Sequence, residues 1–586
     1  MTNSTTTPAR HMPHNPISIW NVLGYALMAL ACYVSVFVNT ELFPDKYFAG
    51  RWLGFLACVA AGLLLLAARH AADCFGNRAS MVRSEATGTA WPLVLCLLTG
   101  LVQAIYAIVL CLSQGGKASG SFDNEAGLAV CLAGVLPFVG ICFSGRSPNP
   151  ADSKNLFPRA ESGCPPQTGK PNLRFPWLSR ICSWATALTL SAAIALSGSR
   201  TGLLALTIVG MAAPTLAIPG HRKAKCLIFP AVAVGLVVAL YFVRPASADG
   251  RLLIWRCSWE MIKEKPSFGW GINGFRAHYM DFQADWLAGH PGSRFSQLAG
   301  DVTEAFNGLV GTGVRFGLAG VALLLAAIGG LFCLWRSRRQ CPLCRMAGLS
   351  LLAIGVCACF SYPFNYPFTW LVVLTDVGII AGPTLKRAWR LLPVKAAALA
   401  AALVLALAGG GLCLHLSREV PAQIRWHRLE MDSPFPDAEN AFGEYARLEK
   451  YLGKNPYFRY NYAAELFAAG RYGESLGKAL LCRKLWAEYD LQLLIGQNHE
   501  QLGHLAEAEK AYRQAADMCP CRFYPLYLLA LLYENNGRHE EALRMADIIL
   551  QKPVKVPSAA VNIILARMRE LREPPAQHDN CPPQAQ

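Results

Sequence analysis

Charged side chains are scarce in this sequence. Only 16% of its 586 residues are Asp, Glu, Lys or Arg, whereas 53% are hydrophobic. An ordinary soluble domain carries about 25% charged residues. Because the shortage is concentrated in residues 1–415, that region cannot be an ordinary soluble domain. We therefore expect a large membrane domain followed by a smaller soluble one.

Acidic residues are fewer than basic residues, 38 against 54, and the net charge is +16. In a soluble protein this excess would favour nucleic-acid binding. Here the basic residues fall mostly in short loops between apolar segments, and no nucleic-acid-binding motif is present. The charge therefore indicates orientation in a bilayer and contact with membrane lipids, and we expect no nucleic-acid partner.

Residue groups that could hold a metal or a nucleotide cofactor are also lacking. Cys341 and Cys344 form one CxxC pair, but no second pair of metal ligands lies near it in the sequence. Most of the 21 cysteines stand singly inside apolar segments, where cysteine behaves as a small hydrophobic residue. The phosphate-binding P-loop pattern is absent as well. We predict no metal and no cofactor.

Long apolar runs are abundant, and a membrane-spanning helix needs about 20 such residues. If the N-terminus is cytoplasmic, 21 Lys and Arg residues fall in the inner segments and four in the short outer loops. Inner loops are the ones that carry such an excess, so the loop at 244–307 and everything after 416 are predicted to lie on the non-cytoplasmic side. The eleven predicted spans are 17–38, 52–68, 91–112, 126–144, 181–197, 201–217, 226–243, 308–335, 346–361, 367–383 and 394–415.

A repeat of 33 and 34 residues follows the last span. Gly470, Gly503 and Gly537 recur at these spacings, each followed by a basic residue, with small residues five positions later. A period of 34 with small residues at helix crossings resembles the tetratricopeptide repeat. Such arrays often present a binding face, so we favour a protein partner or acceptor there. The alternative is that the array only docks on the membrane domain.

The predicted fold class is therefore all-α: a polytopic transmembrane bundle of about eleven spans with a C-terminal tetratricopeptide-type domain. The predicted divisions are a cytoplasmic tail at 1–16, a membrane domain at 17–416, a linker at 417–454, helical repeats at 455–572 and a disordered tail at 573–586.

The turn between spans five and six reads Ser197-Gly198-Ser199-Arg200-Thr201-Gly202. Arg200 stands at the bilayer boundary on the side that disfavours basic residues. Ionisable residues at such depth are costly and often mark functional sites. The alternative is that the arginine only reaches toward lipid headgroups. We favour a functional role for Arg200 and include Ser199 as a substrate-binding candidate.

The outer loop carries aromatic and basic residues on one predicted interfacial helix. Arg251 and Arg256 could reach phosphate oxygens, which match the fork of guanidinium donors. Trp255 and Trp259, four residues apart, suit the headgroup layer. Gly269, Gly271 and Gly274 follow, and they permit tight turns or the close approach of a ligand. Arg251, Arg256 and Trp255 are therefore candidate site residues.

The order of these pieces resembles that in the O-antigen ligase and polymerase-like superfamily, most closely its subgroup with a C-terminal tetratricopeptide domain. The motifs that carry the resemblance are SGSRTG at 197–202, GRLLIW at 250–255, PSFGWG at 266–271, FN at 306–307, GVRFGLAG at 313–320 and SYPF at 361–364, while Gly308 stands where the subgroup usually has an acidic residue.

The resemblance implies a glycosyltransferase that moves a glycan from a polyprenyl diphosphate carrier to an acceptor hydroxyl on the periplasmic face of the bacterial inner membrane. It also implies that Arg200 and Arg251 are required. Many members carry a His-Asn pair where this sequence has Phe306 and Asn307. Because the phenylalanine side chain at 306 cannot accept a proton, our candidate base is His290.

Further candidates and alternatives stay open. Asp301 and Glu304 are the alternative bases, and Glu304 is also a substrate-binding candidate. The lipid A core is the favoured acceptor, with polymerase activity or protein O-glycosylation as alternatives. Two other classes are a transporter, which predicts repeated halves and broken helices, and a non-catalytic envelope scaffold that works through its repeats.

Overall fold

The computed structural model describes residues 19–75, 91–143, 176–217, 222–389, 394–434 and 437–573. The predicted tail at 1–16, and all but the first residue of the predicted tail at 573–586, lie outside these residues. In the described residues the fold is all-α. The helices up to the end of the membrane domain are α1 (Ile19–Phe37), α2 (Ala49–Phe75), α3 (Trp91–Gln114), α4 (Glu125–Val135), α5 (Gly140–Phe143), α6 (Pro176–Leu196), α7 (Arg200–Ala217), α8 (Arg222–Val243), α9 (Pro245–Glu264), α10 (Gly274–Ala288), α11 (Gly308–Arg338), α12 (Pro342–Phe360), α13 (Pro367–Trp389) and α14 (Val394–Met431).

Among the described residues, seven helices are long and apolar enough to cross a membrane. These seven segments are Ile19–Phe37, Ala49–Ala72, Trp91–Gln114, Gly308–Arg338, Pro342–Phe360, Pro367–Leu385 and Ala398–Met431. The other predicted spans coincide with shorter apolar helices at Glu125–Val139, Arg180–Leu196, Arg200–Ala213 and Val234–Val243. The chain is thus a multi-pass membrane protein, while the number of eleven spans stays a prediction.

The bundle core is packed with small side chains. Cys32, Cys96, Cys131 and Cys357 are all buried in one hydrophobic cluster with Leu, Val and Ala residues of the spans. Lipid tails are as apolar as the helices, so the hydrophobic effect does not hold helices together in a membrane. Small residues instead let the helix backbones approach closely and pack. These cysteines therefore occupy packing positions.

The segment 417–454, predicted to be a linker, is largely helical. Helix α14 continues to Met431 without ending at the predicted boundary, and α15 (Ala438–Leu452) follows it. Trp426 and Tyr445 both donate hydrogen bonds to Asn461 Oδ1, at 2.9 and 2.7 Å. The last membrane helix is therefore fastened to the first repeat helix through a packed junction.

The repeat region consists of paired helices. Gly470, Gly503 and Gly537 occupy the turn within each pair with φ of 74°, 76° and 73°. Glycine adopts this left-handed conformation without a steric penalty, which explains the spacing seen in the sequence. The tetratricopeptide assignment itself stays a prediction. The helices are α16 (Pro456–Ala468), α17 (Tyr472–Arg483), α18 (Tyr489–Gln501), α19 (Leu505–Met518), α20 (Tyr524–Asn535), α21 (His539–Gln551) and α22 (Ala559–Arg572).

The repeat domain docks on the long loop of the membrane domain. Helix α10 of the loop packs against α19, and the two share one hydrophobic cluster. Gln283 Nε2 donates to Met518 O at 2.8 Å, and Gln514 Nε2 donates to Asp281 Oδ1 at 2.7 Å. Docking, the alternative considered from the sequence, is thus observed. Binding of a separate partner stays a prediction.

A break in α11 receives the glycine-rich segment of the loop. Gly317 has φ 65° and ψ −164°, a conformation that is essentially restricted to glycine. The loop backbone bonds across this break: Trp270 N donates to Val314 O at 2.9 Å, and Leu318 N donates to Pro266 O at 2.7 Å. A Cβ on Gly269 would lie 2.5 Å from Val314 O. The glycine motifs of the loop and of α11 therefore fit each other.

Replacing Gly317 with alanine is expected to lower the free energy of unfolding by on the order of 3 kcal/mol, since backbone strain and a clash with Ser267 act together. Gly271→Ala is the matched control, because Gly271 has φ 86° but a Cβ added there would meet no atom within 4 Å. It should cost about 1 kcal/mol. Thermal unfolding of the purified protein would compare the two variants. Equal melting temperatures would contradict the role of Gly317 in receiving the loop segment.

Candidate active site

The SGSR turn places Arg200 against the corner between α8 and α9. Gly198 has φ 64°, and Ser199 Oγ accepts a hydrogen bond from Gly202 N at 3.3 Å, which caps α7. Arg200 Nη1 donates to Leu240 O at 3.2 Å and to Arg244 O at 3.1 Å. Arg244 O also accepts a hydrogen bond from Ala248 N of α9 at 3.3 Å, so Arg200 joins the end of α8 to the start of α9. Arg200 therefore fixes the start of the long loop.

Arg251 lies close to Arg200 and is half-buried. Its guanidinium stands over the ring of Phe306, 5.8 Å from the ring centre. Burial, and then the nearby charge of Arg200, lower the pKa of Arg251 below its ordinary value. In the described part of the chain neither arginine forms an ion pair with a carboxylate. Two adjacent cations without a counter-charge favour an anionic ligand.

Phe306 links this pair to the end of α12. It has φ 51°, the one positive φ at a non-glycine residue in the described chain. Such strain costs about 1–3 kcal/mol and concentrates at functional sites. Its ring meets that of Tyr362 edge-on, with centres 5.1 Å apart. Asn307 follows, and its Oδ1 caps α11 by accepting from Leu309 N and Val310 N at 3.0 and 3.1 Å.

A hydrogen-bonded network continues from Tyr362 to the start of α4. Asn124 Nδ2 donates to the hydroxyl oxygens of Tyr362 and Tyr366 at 3.2 and 3.0 Å. Tyr366 in turn donates to Asp123 Oδ1 at 3.1 Å. Sequence reasoning quoted Tyr362 only as part of the SYPF motif, and it missed Asp123, Asn124 and Tyr366. The signal was the polar run Asp123-Asn124-Glu125 immediately before the fourth predicted span.

Arg51 is a further residue that sequence reasoning missed, because it was counted only among the four basic residues of the short outer loops. Its side chain is 2% exposed, and Nη2 donates to Asn39 Oδ1 at 2.6 Å. It also stands over Phe122, 5.1 Å from the ring centre. Arg51 therefore holds the loop that carries Asp123 against the ends of α1 and α2.

His290 lies on another part of the loop, beyond the contacts of Arg200 and Arg251. Its ring stacks on Trp286 with centres 4.2 Å apart, and Nδ1 lies 2.8 Å from Trp286 O. Arg256 stands over the same indole, 5.4 Å from the ring centre of Trp286. The ion pair between Arg294 and Asp249, 3.3 Å long, ties this segment to the first turns of α9.

The remaining predicted residues have structural partners. Trp255 Nε1 donates to Ala305 O at 3.0 Å, which positions the chain just before Phe306. Glu304 forms an ion pair with Arg315 at 2.6 Å. The structure thus brings Arg200, Arg251 and the Phe306–Asn307 step together, and it groups His290 with Arg256 on a neighbouring surface.

Comparison with known protein families gives a match that covers part of this site. Residues 185–299 match the O-Antigen ligase family model. The matched segment contains Arg200, Arg251 and His290, and it supports the resemblance to O-antigen ligases seen in the motifs. It ends before Asn307 and the repeat domain. No curated protein matches the chain. With the seven apolar helices, the match points to a membrane glycosyltransferase of the ligase or polymerase type.

Proposed function

We propose that this protein transfers a glycan from a polyprenyl diphosphate carrier to an acceptor hydroxyl on the periplasmic face of the bacterial inner membrane. The observation that carries the proposal is the pair of adjacent arginines, Arg200 and Arg251, without a carboxylate partner in the described residues. A diphosphate supplies the missing negative charge. The favoured acceptor is the lipid A core.

The reaction is a direct displacement at the anomeric carbon of the donor sugar. The acceptor oxygen forms the new bond to this carbon, while the bond from the carbon to the diphosphate oxygen breaks. Negative charge grows on the departing diphosphate, and Arg251 and Arg200 stabilise it. Preorganised charges that meet a developing charge are usually a large part of catalysis. The anomeric configuration is inverted.

The acceptor proton goes to His290 in this proposal. If Nδ1 carries a hydrogen and donates it to Trp286 O, the lone pair of Nε2 is available to accept a proton. Glu304 is a weaker candidate, because its charge is already paired with Arg315. Asp301 lies closer to the repeat domain, where burial and then the nearby charge of Asp490 raise its pKa above the ordinary value. No metal or nucleotide cofactor takes part in the proposed reaction.

The strained Phe306 and the Tyr362 network complete the proposed site. Phe306 replaces the histidine that the family resemblance implies, and its ring supports the guanidinium of Arg251. The proposal retains three further residues, which position the site: Asn307, Ser199 and Trp255. Arg256 and His290 both contact Trp286, so in this proposal Arg256 contacts the acceptor.

Reconstitution tests the proposal. The purified protein in lipid nanodiscs would receive a polyprenyl diphosphate-linked glycan together with lipid A core, with a second lipid-linked repeat unit, or with a peptide rich in serine and threonine. We expect glycosylated lipid A core and release of polyprenyl diphosphate. Product from only the second or third acceptor would indicate a polymerase or a protein glycosyltransferase. No release with any acceptor would contradict an enzymatic role and favour a scaffold or transporter.

A further inference from the structure

A second basic site lies where the loop meets the repeat domain. A cleft of about 310 Å³ opens between the start of α10 and the turn from α15 to α16. Asn273 and Arg276 line it from the loop, and Lys454, Asn455 and Tyr457 line it from the repeats. The two sides come from distant parts of the sequence, so the cleft exists only because the repeat domain docks on the loop.

Both charged residues that line the cleft are basic. In the described residues neither Arg276 nor Lys454 forms an ion pair, and no carboxylate lines the cleft. Nearby basic side chains are paired: Arg459 and Lys478 contact Glu449 at 3.3 and 2.6 Å. The unpaired basic charge at the cleft favours an anionic ligand, and a guanidinium suits the planar carboxylate and phosphate groups.

Two further features narrow the ligand. Tyr457 is 46% exposed, and the Arg276 guanidinium lies 5.6 Å from its ring centre. A large aromatic face beside a cation can pack against the apolar face of a sugar ring while the cation binds an acidic substituent. The start of α10 adds partial positive charge, since the side chain of Asn273 does not cap the helix.

We propose that this cleft binds an acidic sugar residue of a glycan chain, through its carboxylate or phosphate, and so holds the glycan at a distance from Arg200 and Arg251. The proposal rests on the proposed function only in taking the ligand to be a glycan. Arg276 supplies the fork for the acid group, Lys454 adds a second charge, and Tyr457 supports the ring.

Binding to the full-length protein in nanodiscs tests this proposal without any donor lipid. The probes are hexagalacturonate, the neutral maltohexaose and the acidic peptide hexaglutamate, measured by isothermal titration calorimetry. We expect hexagalacturonate to bind at least about tenfold more tightly than the other two probes, because maltohexaose has no acid group for Arg276 and hexaglutamate has no sugar ring for Tyr457.

Variants then locate the site. Arg276→Gln and Lys454→Gln should each weaken hexagalacturonate binding about tenfold. Lys510→Gln is the matched control, since Lys510 is an exposed lysine on α19 away from the cleft. Unchanged thermal unfolding of each variant would show that the domain stays docked.

The proposal would be overturned by a lack of hexagalacturonate binding, by equal binding of maltohexaose, or by unchanged binding in both cleft variants. Tighter binding of hexaglutamate would also overturn it, in favour of an acidic peptide. The binding assay is independent of the transfer assay. Loss of glycan transfer with intact hexagalacturonate binding would therefore count against the proposed function alone. Intact transfer without such binding would count against the cleft alone.

Discussion

Arg251→Ala is expected to lower the rate of glycan transfer by about 100- to 1,000-fold, the usual cost of removing one preorganised charge contact. The guanidinium is half-buried beside Arg200 and has no carboxylate partner in the described chain, so its charge is available to the donor diphosphate. Initial rates of transfer to the acceptor, measured with purified protein in nanodiscs, would show the loss.

Two variants make this test specific. Arg251→Lys keeps the charge but loses the planar fork, so we expect an intermediate rate. Lys263→Ala removes a basic residue from the same helix, but Lys263 pairs with Glu260, and its loss should leave the rate unchanged. A wild-type rate in Arg251→Ala at a normal melting temperature would refute the diphosphate-binding role.

Arg200 should respond differently, because it also holds the corner between α8 and α9. Its bonds to Leu240 O and Arg244 O would be lost in Arg200→Ala, so transfer and thermal stability should fall together. The difference between the two arginines is therefore informative: Arg251→Ala should lower the rate without a comparable loss of stability.

His290→Ala is expected to lower the transfer rate by about 100- to 10,000-fold, the range for loss of a general base. The ring is oriented by its stacking on Trp286 and by the bond between Nδ1 and Trp286 O. These contacts direct the other ring nitrogen away from the helix, where an acceptor hydroxyl could reach it. The measurement is again the initial transfer rate.

His290→Asn is the matched variant, since its amide can still donate to Trp286 O but cannot act as a base. We expect the same loss of rate as in the alanine variant, with the loop intact by thermal unfolding. If both variants transfer glycan normally, His290 is not the base, and Asp123→Asn becomes the next variant to measure, because Asp123 is the carboxylate joined to Tyr362 through Asn124.

Some features could be predicted from the sequence because they depend on neighbouring residues in the chain. Gly470, Gly503 and Gly537 repeat at a fixed spacing, and each has the positive φ that such a turn requires. The apolar runs predict helices, because a backbone in lipid must satisfy its own hydrogen bonds. Arg200 could be singled out because a charge at the bilayer boundary is costly wherever the rest of the chain lies.

Other features depend on residues that only the fold brings together. From the sequence, a ligand could approach Gly269 closely. In the structure the backbone of α11 at Val314 occupies that space. Asn307 could be matched to a family motif, whereas its caps on Leu309 and Val310 become visible only in the structure. Neither role leaves a local sequence pattern that distinguishes it from ligand binding.

The sequence by itself determined that the chain has an apolar membrane region, a long loop rich in aromatic and basic residues, and a periodic helical region. Hydropathy, charge and period are local properties, so no tertiary contact is needed to read them. Only the tertiary structure decided that Arg251 lies beside Arg200 over Phe306, and that Asn124 reaches Tyr362, 238 residues away. Such contacts form where separate helices end at the same level, and that depends on how the whole bundle packs.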